Sequence, residues 1–180
     1  MIPLVDLKKQ TRQLEREIQR AIGEVLADCH YVRGKWIEQF EEAFAQYCGG
    51  AYASAVSSGT AALHLALLAA GVGPEDEVVT SPYTFIATAE AITAAGARPV
   101  FVDIHPGPLT IDPEKIEGVV TRRTKSIVPV DLYGQPADLD AIREVARVHG
   151  LTVIEDACQA AGAQYKGRPI GAIRHLTCFS

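Results

Sequence analysis

No apolar run in this 180-residue chain reaches the roughly 20 residues that a membrane-spanning helix needs. Residues 1–6 have neither a basic n-region nor a long apolar h-region, so no secretory signal is expected. The four cysteines, Cys29, Cys48, Cys158 and Cys178, form no C-x-x-C pair, and the five histidines are scattered, so no metal site is expected. The cysteines read as reduced thiols of a cytoplasmic protein. Net charge is −5 with both signs interspersed and no basic stripe, which argues against nucleic acid as a partner. No strand leads into G-x-G-x-x-G, which argues against a Rossmann-type dehydrogenase. The chain also lacks internal repeats, low-complexity tracts and linkers.

What is present is a 48% hydrophobic composition, enough for one globular core of ordinary domain size. Residues 8–28 read as an amphipathic helix, with Leu7, Leu14, Ile18, Ile22, Val25 and Leu26 on one broad face. A second helix, residues 36–47, carries Ile37, Phe40, Phe44 and Tyr47 at helical spacing and ends at Cys48-Gly49-Gly50. From Ala51 onward strands and helices alternate. The strands are expected over residues 52–56, 77–80, 99–102, 125–130, 151–154 and 175–179. The helices are expected over residues 60–70, 85–95, 114–119 and 138–149. This pattern implies an α/β fold, a mainly parallel sheet with helices on both faces, preceded by N-terminal helices. The expected division is a helical segment over residues 1–50 and an α/β domain over residues 51–180. Pro74-Glu75, Pro106-Gly107 and Gly134-Gln135-Pro136 mark turns. Glu75 favours a type I turn, because type II needs a positive φ that suits glycine.

Two stretches carry chemistry. Thr152-Val153-Ile154 reads as a buried strand that ends in two carboxylates, Glu155 and Asp156. In open α/β sheets ligands sit just outside the carboxyl ends of strands. A carboxylate there can hold a cationic ring nitrogen, and Gln159 reaches the same ligand if the chain turns. The competing reading is an acidic cap on a short helical turn. Earlier, Ser57-Ser58-Gly59-Thr60 joins a strand end to a helix rich in Ala and Leu. Its free N–H groups and positive dipole end make an anion site, unless the turn only caps a helix.

Together these stretches resemble the type I pyridoxal-phosphate aminotransferases. More closely, the chain resembles the DegT/DnrJ/EryC1/StrS sugar aminotransferase family. The motifs are Val5-Asp6-Leu7, Ser58-Gly59-Thr60-Ala61-Ala62-Leu63, Gly71-Val72-Gly73-Pro74 with Asp76-Glu77-Val78, and Thr84-Phe85-Ile86-Ala87-Thr88-Ala89. They continue with Phe101-Val102-Asp103-Ile104, Leu132-Tyr133-Gly134-Gln135-Pro136-Ala137-Asp138 and Glu155-Asp156-Ala157-Cys158-Gln159. Each is weak alone; their order and spacing are specific.

The resemblance implies the large domain of a type I pyridoxal-phosphate transferase, incomplete in these residues. It implies a phosphate cradle at Gly59, Thr60 and Ala61, joined by Ser180. Phe85 matches the aromatic that stacks on the ring, although a core aromatic at a helix start reads equally well. Asp156 matches the catalytic aspartate that pairs with the pyridinium, and Gln159 the residue near the ring's 3-hydroxyl. Glu155 is expected to cap a helix or face an interface. Asp131 stands where relatives often carry histidine, with no assigned consequence. Lys8, Lys9, Lys35, Lys115, Lys125 and Lys166 lie in other motifs, so the Schiff-base lysine is expected beyond Ser180. Without it, these residues are expected to bind pyridoxal 5′-phosphate weakly and not to transaminate. The implied activity is transfer of an amino group, with glutamate as donor, to a nucleotide-linked keto-sugar, in a cytoplasmic homodimer with a shared site. Alternatives are a sugar dehydratase of the same family, with histidine at the lysine position, and a non-catalytic fragment or regulator.

Overall fold

The computed structural model describes residues 5–180; residues 1–4, part of the segment read for a secretory signal, lie outside the described residues. Helix α1 spans Leu7–Asp28 and starts where Asp6 Oδ1 accepts the Lys9 N–H at 3.1 Å. Its apolar stripe, Leu14, Ile18, Ile22 and Leu26, is exposed. Helix α2, Lys35–Cys48, ends on Gly49 at φ 74°, a left-handed cap that glycine adopts without strain. It buries Ala45 and Cys48, and Phe44 meets Phe179 edge-on at 5.3 Å between ring centroids. Thus α2 is docked onto the layers that follow.

Those layers run α3 Gly59–Ala69, β1 Glu77–Thr80, α4 Ala87–Ala94, β2 Arg98–Phe101, α5 Pro113–Ile116, β3 Thr124–Val128, α6 Leu139–His149, β4 Thr152–Asp156, β5 Gln164–Tyr165, β6 Arg168–Pro169 and β7 Leu176–Cys178. The main sheet has the order β2-β1-β3-β4-β7, and every pairing is parallel. Successive residues alternate between two cores. Val78, Val128 and Ile154 join Leu63, Leu67 and Ile92 from α3 and α4. Val79, Ile127 and Val153 join Ile116, Leu139 and Ile142 from α5 and α6. Strands covered on both faces carry continuous apolar runs, which is why Val78-Val79 and Ile127-Val128 show no polar alternation. Among the described residues, no helix is long and apolar enough to cross a membrane.

The expected α/β architecture is present, with three local corrections. Residues 52–56 form no strand. Tyr52 is 94% exposed, and the Ala55 N–H donates to Glu41 Oε1 at 2.7 Å instead of to a neighbouring strand. The short antiparallel hairpin β5–β6 was not anticipated; it turns on Lys166 and Gly167, both at positive φ. Finally, Glu75 sits at φ 70°, so the Gly73-Pro74-Glu75-Asp76 turn is not type I. The turn is pinned from both sides. Asp76 N–H donates to the Gly73 carbonyl at 3.2 Å, and the Gly73 N–H donates to Asp76 Oδ2 at 2.9 Å. These bonds hold Glu75 where glycine fits best.

At the amino end of β1, Glu77 is 1% exposed. Thr121 Oγ1 donates to its Oε2 at 2.7 Å, while Arg98 and Arg123 reach its Oε1 at 2.5 and 2.7 Å. Arg98 opens β2 and Arg123 immediately precedes β3, so one carboxylate ties three neighbouring strands. The Thr121 hydroxyl first, then the two guanidiniums, hold its carboxyl below the usual range.

Two predictions follow from these turns and ties. Replacing Glu75 with glycine should raise the unfolding free energy by up to about 1 kcal/mol, and Glu75→Val should lower it by about as much; chemical denaturation reads both. Glu77→Gln should cost on the order of 1–3 kcal/mol at neutral pH. Because the Glu77 pKa is depressed, its contribution is present above the ordinary carboxylate range and lost as pH falls through the depressed value. The gap between parent and variant should therefore shrink in acid, measured by urea melts across pH.

Candidate functional site

Parallel strands put the carboxyl ends of β1, β3 and β4 on one edge, and a cavity of about 170 Å³ opens there. One wall is the start of α3. Ser58 caps it: its Oγ accepts the Ala61 N–H at 3.1 Å, and its carbonyl accepts the Ala62 N–H at 2.9 Å. The amides of Gly59 and Thr60 remain for a bound anion at the positive end of the helix. A β-carbon on Gly59 would come within 2.7 Å of Cys158 Sγ and 2.9 Å of Ser180 Cβ. Glycine thus lets the helix start close against Ser180, which lines the same cavity as Thr60.

Asp156 closes β4 and lines the cavity. The Thr88 hydroxyl donates to its Oδ2 at 2.6 Å, and the Cys158 N–H to its Oδ1 at 3.3 Å. Thr88 is 1% exposed and its Oγ1 also contacts Thr84 Oγ1 at 2.7 Å. Asp156 is 6% exposed, and among the described residues no lysine or arginine pairs with it. A carboxylate so buried and unpaired favours a cationic ligand. Cys158 lies beside it, where burial and the Asp156 charge push its thiol up and keep it neutral.

Phe85 lies just before α4, is 66% exposed and lines the cavity, so it is not a core aromatic. Gln159 lines the opposite wall, where its Oε1 accepts the Tyr133 N–H at 3.0 Å. The structure thus brings Gly59, Thr60, Phe85, Asp156, Gln159 and Ser180 to one cavity. Ala61 is the exception: it does not line the cavity, and its N–H is committed to Ser58. Sequence reasoning missed Thr88, whose place at the second position of α4 looks like ordinary helix; only its hydrogen bond to Asp156 singles it out. It also misplaced Glu155, which neither caps a helix nor faces outward but is fully buried.

The profile of the DegT/DnrJ/EryC1/StrS aminotransferase family matches residues 12–180. The chain is 46% identical, over 99% of its length, to a "pleiotropic regulatory protein" of Geobacillus stearothermophilus and covers 48% of it. It is also 46% identical, over 99% of its length, to the dTDP-3-amino-3,4,6-trideoxy-alpha-D-glucose transaminase of Streptomyces venezuelae, covering 47% of it. Its fold superposes on the crystal structure of S. venezuelae DesV in complex with a ketimine intermediate, with a TM-score of 0.97 and 46% identity, over 99% of this chain and 48% of that one. The chain therefore spans about half the length of the curated relatives it matches.

The tight start of α3 gives a direct expectation. Gly59→Ala should displace Cys158 or Ser180 and cost about 1–3 kcal/mol of stability despite alanine's better helix propensity. Thermal denaturation checks it, and a neutral or stabilising result would mean that the helix start is not packed as described.

Proposed function

The chain belongs to the DegT/DnrJ/EryC1/StrS aminotransferase family, and from that premise we propose that its cavity holds pyridoxal 5′-phosphate in an aminotransferase acting on a nucleotide-linked keto-sugar. The observation that carries this reading is Asp156, a buried carboxylate without a cation, across a cavity from an uncapped pair of helix amides. The two charges of the cofactor fit those two walls. Its phosphate matches the amides of Gly59 and Thr60 with the hydroxyls of Thr60 and Ser180. Its pyridinium matches Asp156. When bound, that ring supplies an electron sink beside the carbon that loses a proton.

The chain's own residues do the rest. Asp156 holds the proton on the ring nitrogen, and the Thr88 hydroxyl fixes the carboxylate's angle. Phe85 covers one face of the ring and excludes water from it. Gln159 has its oxygen committed to Tyr133, so its amide nitrogen is the group left for the ring's oxygen substituent. Cys158 stays a neutral thiol and does not compete as a nucleophile. No lysine of the described residues lines the cavity. This reading needs a covalent lysine that the lining residues do not supply, and a histidine in its place would favour the dehydratase.

Glutamate as amino donor, a homodimer with a shared site, a cytoplasmic location and the division into residues 1–50 and 51–180 belong to the same proposal. The named transaminase among the relatives supports the nucleotide-linked substrate. The regulatory name of another supports the second reading, a regulator that keeps the fold.

Titration of the full chain with pyridoxal 5′-phosphate, followed by absorbance and fluorescence, separates the readings. Loss of a charge-assisted hydrogen bond of about 1.5–3 kcal/mol should raise Kd roughly 10- to 150-fold in Asp156→Ala. Thr88→Val should fall between parent and Asp156→Ala, with Thr88→Ser close to the parent. If Asp156→Ala binds the cofactor as tightly as the parent, the pyridinium assignment fails.

A further inference from the structure

Next to Asp156 lies a second carboxylate cluster that the proposed chemistry does not use. Asp131 and Glu155 are both fully buried. Asp131 Oδ1 accepts the Ala137 N–H at 3.0 Å, while Asp131 Oδ2 and Glu155 Oε1 have no hydrogen-bond partner among the described residues. Glu155 Oε2 accepts the Thr177 hydroxyl at 2.9 Å and lies 3.0 Å from His175 Nε2. The Asp131 N–H donates to the Asp156 carbonyl at 2.9 Å, which sets Asp131 beside the end of β4 that carries Glu155. A carboxylate has no proton to donate, so two buried carboxyl oxygens without a donor are satisfied together only when a proton sits on one of them.

The groups around the pair leave few places for that proton. Glu155 and Asp156 face Asp131 from β4, His175 and Thr177 come from β7 and the residue before it, and Arg143 of α6 faces His175. Burial and then Arg143 push the His175 imidazole down to about 4. The neutral ring donates its Nε2–H to Glu155 and leaves Nδ1 as a buried lone pair. An imidazolium would instead bury an unpaired N–H, which costs more. Burial first, then the Glu155 charge, raises Asp131, and burial raises Glu155.

We propose that Asp131 and Glu155 share one proton at neutral pH, and that this proton holds in place the segment 131–137, whose Asp131 and Leu132 line the cavity, which makes Asp131 a positioning residue for the ligand. The tethers of that wall converge on Asp131. Its N–H donates to the Asp156 carbonyl at 2.9 Å, its carbonyl accepts the Gly134 N–H at 3.2 Å, and its carboxyl accepts the Ala137 N–H. Between them Tyr133 is held at φ 57°, a left-handed conformation that a tyrosine keeps only when its surroundings impose it. Without the proton, two negative charges meet in a buried site where, among the described residues, no lysine or arginine pairs with either. The wall that carries Tyr133 and meets Gln159 is the part free to relieve that repulsion. For carboxyls raised in the folded state, the proton's contribution is present in acid and is lost as pH rises from the ordinary carboxylate range through the raised values.

The ligand readout of this proposal rests on the cofactor reading; the wall readout does not. The test compares the full chain with Asp131→Asn and Glu155→Gln, from mildly acidic to mildly alkaline pH. Asp131→Asn keeps a donor toward Glu155 and an acceptor for Ala137 but cannot ionise, and Glu155→Gln serves if that variant does not fold. Hydrogen-exchange protection of residues 131–137 is read by mass spectrometry, buried protonated carboxyl by infrared absorption, and Kd by titration with pyridoxal 5′-phosphate. The parent should show a protonated carboxyl band at neutral pH, and its protection factors should fall about tenfold per pH unit once the proton is lost. Its Kd should rise in parallel. Both variants should lack the band and the pH dependence of protection. A parent without the band, or variants that keep the parent's pH dependence, would overturn the proposal. No cofactor binding at any pH, with pH-dependent protection intact in the parent alone, would overturn the cofactor reading and leave the shared proton standing.

Discussion

Two consecutive buried carboxylates end the strand β4, and much of the site is arranged to tolerate them. Burying a charge without a counterion costs several kcal/mol unless hydrogen bonds or a proton make up the difference. Side chains alternate along a strand, so Glu155 and Asp156 meet different surroundings. Asp156 receives the hydroxyl of Thr88 from α4 and looks onto a cavity. Glu155 receives the hydroxyl of Thr177, its register partner on β7, and a neutral imidazole, and lies near Asp131. One position is open to a ligand while the other is sealed.

The amino ends of the strands solve the same problem the other way. Glu77 is as buried as Glu155, yet two half-exposed arginines and a threonine hydroxyl surround its carboxylate. That cluster needs no ligand, and none of its members lines the cavity. Cations are spent where they secure the sheet and withheld where an unpaired negative charge is useful.

The fold was legible because both of its periodicities are strong. The strand pairs Val78-Val79 and Ile127-Val128, the helix starts at Asp112-Pro113 and Asp138, and the Gly49 and Gly150 helix ends all carry local chemistry that agrees with the final structure. Residues 52–56 failed because strand-like composition cannot show whether a neighbouring strand is there to pair. The turn at Glu75 failed because the paired bonds between Gly73 and Asp76 override the preference of the single residue between them. In the site, residues with distinctive spacing were found, whereas Thr88 and His175 were not, and Asp131 was noted without a role. Their significance comes from contacts 20 to 68 positions away, as in the His175–Glu155 and Thr88–Asp156 contacts, and no local pattern encodes such a distance.

The cavity draws on Gly59 at one end of the sequence and Ser180 at the other, with Phe85, Asp131 and Asp156 between them. Every strand pairing in the main sheet is non-local, so these residues converge only when the whole sheet has formed. No short peptide cut from this chain carries the site. A ligand that occupies it is bound by the folded ensemble alone, and its free energy is added to the global unfolding transition as RT ln(1 + [L]/Kd). The melting temperature is thus a concentration gauge for whatever the cavity holds.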